Sequence, residues 1–247
     1  MVIAASEPAP AHGSAAVGLG VDHAHLLDTF EIEARLLDAT LRWHRHLRPL
    51  FGGASGDPQP LWRAYVRLLK LEADVVRYLA PALRAAGQAL RHGDGEDRRW
   101  SERLLRRAVD AECADPHGCL RDDLRALGAP PELVDGAPHA HAVVHGRFYV
   151  ADAARHPYAI LGATAVHDRL RARIADDLVR GVARCALDGA AHATRYFARG
   201  AQARAAQRDA DRELEALHHP HQRCQVLEGA YVTSGAYRAL THYLLPA

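Results

Sequence analysis

The sequence predicts an all-α protein, on three observations. Apolar residues recur at three- and four-residue steps along nearly the whole chain, which is the spacing of helical faces. No stretch alternates apolar and polar residues as a half-buried strand does. Clusters of glycine, proline and aspartate break the pattern where helices would end and turns begin. A bundle of about seven helices around one core is expected, with no repeat at solenoid spacings.

The first helix carries Leu26, Phe30, Leu37 and Leu41 and stops at "GGASGDPQP". A second starts near Leu61, and Pro81 should kink or split it by removing a backbone donor. "HGDGED" is a turn, after which Asp97 or Ser101 is positioned to cap a helix containing Leu104, Leu105 and Val109. In "ADPHGCLRDDLRALGAPPEL", Asp115 is a good N-cap with Pro116 at the tolerated first position, and Gly128 ends the helix. The segments 141–154, 156–187, 189–217 and 222–245 also have helical spacing.

The chain has 247 residues, 49% hydrophobic and 25% charged, with a formal net charge of +1. That suits one soluble domain over residues 21–247, preceded by a disordered tail over 1–20 that lacks the pattern of a signal peptide. Acids and bases are interleaved, so no basic face for nucleic acid or polybasic membrane patch is built. No apolar run reaches the roughly 18–20 residues of a membrane span. The four cysteines form no C-x-x-C pair, which fits a reducing, cytoplasmic setting.

Chemistry is concentrated in a few places. In "RHPYAILGATAVHDRLRARI", His167 falls on the face of Ile160, Ala163, Leu170 and Ile174, while Asp168, Arg169, Arg171 and Arg173 fall mostly elsewhere. An imidazole directed into a core needs a partner, a metal or a substrate. Asp110 and His117 stand seven apart, two turns along one face if the helix runs unbroken past Pro116. His141 and His145 lie one turn apart without the glutamate of a zinc-protease motif, so pocket or surface roles suit them better. Phe148 and Tyr149 follow them on a core- or cavity-lining face, and the closing helix presents Ala230, Thr233, Tyr237 and Leu240 on one packing side. His44 and His46 sit among arginines at a solvated helix end and make poor haem ligands.

The order carboxylate-x6-His, D-L-x-x-L-G and H-P-x-A-I-L-G is found here as Asp110 with His117, "DDLRALG" from Asp122, and "HPYAILG" from His156. It resembles the heme-oxygenase-like diiron oxidases, relatives of thiaminase-like proteins and pyrroloquinoline-quinone synthase. The resemblance implies a heme-oxygenase-like bundle and, from relatives that are often dimeric, a homodimer. Carried over by position, Asp110 and His117 take the places of the first ligand pair and His167 that of a later glutamate. The family's closing H-x3-D-x2-H falls on Gly200, Arg204 and Gln207, none of them a usable ligand. What the resemblance then implies is a divergent member with an incomplete ligand set.

Asp110, His117 and His167 would hold one non-haem iron, with open positions for dioxygen and substrate. The function implied is a small-molecule oxidase or oxygenase of specialised metabolism. Arg204 and Gln207, three apart, would hold an anionic substrate, with His145 and His192 beside it. The competing account uses the same cavity without metal: His167 is a general base, with Tyr196 or His192 as proton donor. A third account is a pocket that only binds its ligand.

Overall fold

A computed structural model describes residues 21–52, 57–185, 189 and 192–245, and the expected N-terminal tail lies outside them. Helix α1 spans His23–Trp43, α2 Pro58–Val76, α3 Leu79–Leu90, α4 Gly95–Ala114 and α5 Pro116–Ala126. After the short α6 (Pro131–Val134) come α7 (Ala140–Arg155) and α8 (Ala159–Arg184). The one-turn α9 (Arg195–Ala198), α10 (Gly200–Leu214) and α11 (Pro220–Leu244) complete the chain. Among the described residues there is no strand, and no helix is long and apolar enough to cross a membrane.

Helix ends follow local chemistry. Pro81 cannot donate to the carbonyl of Arg77 and its ring crowds that turn, so α2 closes at Val76 and α3 opens at Leu79. The cap of α4 is Asp94, whose carboxylate accepts the amides of Glu96 (2.8 Å) and Asp97 (2.9 Å). Neither Asp97 nor Ser101 caps it: Asp97 accepts the hydroxyl of Tyr158 at 2.7 Å, and Ser101 donates to the carbonyl of Gly87 at 2.6 Å. Asp115 does cap α5, accepting the amide of Gly118 at 2.9 Å. It adopts φ 40°, ψ 58°, a left-handed conformation that turns the chain sharply between α4 and α5.

The stretch 189–217 is not one helix. Carbonyl and amide groups near Ala193 are held by other elements, and α9 and α10 form separately, with Arg199 between them. Helix α8 is the axis of the core and packs against α1, α10 and α11. Its face of Ile160, Ala163, Leu170 and Ile174 is buried as the spacing predicts. Arg169 is a departure, being buried as well. Its guanidinium is satisfied by Asp211 at 2.6 Å and the Ala165 carbonyl at 3.2 Å, and it lies 5.0 Å from the centroid of Phe30.

Helices α8 and α11 cross at two glycines. A methyl group on Gly162 would fall 1.8 Å from the carbonyl oxygen of Val226, and one on Gly229 would fall 1.9 Å from that of Ala159. The absence of side chains there lets the two backbones touch, and fixes the height of α11 against α8. Gly162 closes the "HPYAILG" stretch, so this part of the motif is explained by packing.

Candidate functional site

The site is built around Glu72, on the buried face of α2 and fully shielded from solvent. Three donors converge on its carboxylate. His167 of α8 meets Oε2 through Nε2 at 3.1 Å, Tyr196 of α9 donates its hydroxyl to Oε2 at 3.0 Å, and Tyr237 of α11 donates to Oε1. Burial by itself drives the pKa of Glu72 up, but the hydrogen bond and charge of His167 and the two hydroxyls outweigh it and leave it below the ordinary glutamate range. Tyr196 and Tyr237 are held protonated, their pKa values raised by burial and by the neighbouring Glu72 charge. An ionised carboxylate only accepts, so the Nε2–H form of His167 is the one that suits this geometry.

Tyr196 is placed by α9, a single turn tied down at its start. Asp123 of α5, wholly buried, accepts the amides of Arg195 (3.1 Å) and Tyr196 (3.0 Å), and Tyr65 donates to the Ala193 carbonyl at 2.7 Å. Burial raises the pKa of Asp123 against these two amide bonds. The "DDLRALG" stretch therefore works here as a clamp for α9. Arg171 lies over the Tyr196 ring, 4.6 Å from its centroid.

His167 and Tyr237 also face a cavity of about 490 Å³, open to solvent on one side and lined by residues of α2, α3, α4, α7, α8, α10 and α11. Its volume falls in the roughly 300–1,000 Å³ range of small-molecule sites. Val75, Leu79, Leu83, Tyr149, Leu240 and Ala236 supply apolar wall. Thr233, Tyr237 and Leu240 thus face the cavity, where spacing alone had suggested plain core packing. Phe148 and Val232, 55% and 38% exposed, lie at its rim.

The other residues singled out by sequence divide sharply. Asp110 and His145 line the cavity with His167. His117 does not: the turn at Asp115 separates it from α4, and its Nε2 lies 3.0 Å from the guanidinium of Arg77. Desolvation and that guanidinium lower its pKa. Arg204 pairs with Asp176 at 3.0 Å on an exposed face, and neither it nor Gln207 lines the cavity. His192 is exposed in the turn before α9, also away from the cavity. Asp110, His117 and His167 accordingly do not converge.

The residues at this place do not fit the expected iron. Among the described residues no group of three histidine, cysteine, aspartate or glutamate side chains is arranged to hold a metal ion. His167 directs Nε2 at Glu72, and His117 faces a permanent cation, an arrangement that opposes metal at that nitrogen.

Similarity to known proteins bears on the fold. Over 91% of this chain and 90% of the other, the backbone superposes on a crystal structure from Shewanella denitrificans OS217 with a TM-score of 0.69 and 14% sequence identity. That structure is described as a domain of unknown function with a heme oxygenase-like fold. The fold here is heme oxygenase-like. No protein-family model and no curated protein matches the sequence. Within this heme oxygenase-like bundle, Glu72 is the central residue that sequence reasoning missed. Its signal was its position, four after Leu68, three after Leu69 and four before Val76 on the buried side of α2.

Proposed function

We propose that the protein is a metal-independent small-molecule enzyme that moves a proton in the cavity, with His167 as the general base and acid. The observation that carries this reading is the carboxylate–imidazole pair of Glu72 and His167 at the wall of a largely apolar cavity. With Nε2–H given to Glu72, Nδ1 is the ring nitrogen left to take a proton from substrate, and the Glu72 charge stabilises the imidazolium that forms. Tyr196 and Tyr237 act through Glu72 by fixing its orientation and keeping it ionised. Tyr196 is thus a positioning residue in this scheme. The burial of Glu72 behind this wall strengthens each of these electrostatic contacts. Among the described residues, the oxidase reading expected from resemblance finds no comparable ligand set.

A neutral probe of proton abstraction tests the reading. A base takes the ring C3 proton of 5-nitrobenzisoxazole, the C–H electron pair forms the nitrile as the N–O bond breaks, and the product is a single coloured cyanonitrophenolate. The full-length protein should open this ring with saturation kinetics. His167→Ala should slow it about 10²-fold, with Glu72→Gln in between. Near-ultraviolet circular dichroism of each variant checks that the fold is kept, and His167→Gln provides a second variant of closer shape. A rate no faster than free imidazole at equal concentration would overturn the proposal, as would a rate indifferent to folded His167 variants.

A further inference from the structure

The cavity is chemically lopsided. Its α3, α7 and α11 walls are mainly aliphatic and aromatic, and the α2 carboxylate at the cavity, Asp74, is already taken by Lys70 and the His139 amide, whereas α4, α8 and α10 bring four more carboxylates: Asp110, Asp168, Asp209 and Glu213. Asp209 and Glu213 are one turn apart on α10, and Arg107 and Asp110 are one turn apart on α4. Arg107 is the guanidinium among the lining residues, and its nearest approach to Glu213 is 3.9 Å. Asp168 meets Arg171 at the same 3.9 Å, and Asp209 meets Arg212 at 3.1 Å on the exposed side of its own helix. Asp110 makes no ion pair among the described residues.

From this asymmetry we infer that the cavity takes a small amphiphile with an apolar body and a single ammonium group. The body lies against Leu79, Leu83 and Leu240, and the ammonium lies between Asp110 and Asp168. An ammonium there gains charge-assisted hydrogen bonds at the mouth of the cavity, whereas a carboxylate of the same shape meets like charge. Asp168 and His167 both line this cavity from α8, so a ligand whose ammonium is held at Asp168 keeps its body in the space that the imidazole faces. This inference rests on the cavity being the working site. It also reverses the sign of substrate charge expected from Arg204 and Gln207, which face elsewhere.

The test is a matched pair of probes, 2-phenylethylammonium and 3-phenylpropanoate, titrated into the full-length protein by calorimetry or by ligand-observed NMR. The cation should bind about tenfold more tightly than the anion at low salt, and the preference should shrink in 0.5 M sodium chloride. The Asp110→Asn/Asp168→Asn double variant should bring the two probes to within about threefold of each other. Equal affinities, tighter binding of the anion, or a preference unchanged in the folded double variant would overturn the inference. Because 5-nitrobenzisoxazole is neutral, its turnover reads His167 independently of the rim charges. Turnover without cation preference removes the ammonium alone, and cation preference without turnover removes the proton-transfer role and leaves the ligand class standing.

Discussion

Glu72→Ala should lower stability by about 3–5 kcal/mol, measured by urea unfolding followed by circular dichroism. The removed carboxylate leaves two buried tyrosine hydroxyls and an imidazole facing a hole, and each deserted donor carries its own desolvation cost. For a domain of this size the change corresponds to a drop in Tm on the order of 10 °C. Glu72→Gln retains the shape and one acceptor oxygen but offers an amide where a donor already points. It should lose less, about 1–3 kcal/mol.

The pH dependence has a definite sign. Glu72 has a lowered pKa in the folded protein, so its contribution is fully present above the ordinary glutamate value of about 4.3. That contribution is lost as pH falls through the lower folded value. The acid side of the wild-type stability curve should therefore be shallower in Glu72→Gln. An Ala variant that unfolds at the wild-type urea concentration would show that α2, α8, α9 and α11 are not held together at this point.

Gly162→Ala should be comparably severe, although only one methyl group is added. The new carbon would lie 1.8 Å from a main-chain carbonyl oxygen, and a backbone cannot rotate aside as a side chain does. Relief requires α11 to lift from α8, which loosens buried contacts of Ile160, Val226 and Ala230 and moves Tyr237 away from Glu72. Overpacking of this kind costs about 1–3 kcal/mol or more, and here the displaced helix carries part of the site. Near-ultraviolet circular dichroism and the urea midpoint should both change. Gly235→Ala on the same helix has nothing within 4 Å of its added carbon and should leave both nearly unchanged.

How much of this was legible in sequence differs between fold and site. The helical class follows from spacing, and the Asp115–Pro116 cap was readable because a side chain acceptor, a missing donor and a helix start coincide locally. Asp94 was missed in favour of Asp97 and Ser101 because all three are good caps. Long-range partners decide which is used: Tyr158 claims Asp97, and Gly87 claims Ser101. His167 was found from its apolar neighbours, but its partner lies 95 positions away on another helix. Glu72 gave only a weak local signal, as charge in an apolar stretch beside Lys70 and Asp74. The Asp110–His117 pairing failed for a backbone reason, since a left-handed residue between them rotates one out of register with the other.

Lys70, the chain's sole lysine, is 9% exposed, with its ammonium on the buried Asp74 carboxylate at 2.8 Å. The second oxygen of Asp74 accepts the amide of His139, the residue that leads into α7. An amine-acylating reagent thus meets a single side-chain amine, nearly covered and held on Asp74 at the seam of α2 and α7. The rate at which Lys70 becomes acylated is a built-in clock for the opening of that seam, read by mass at a single position.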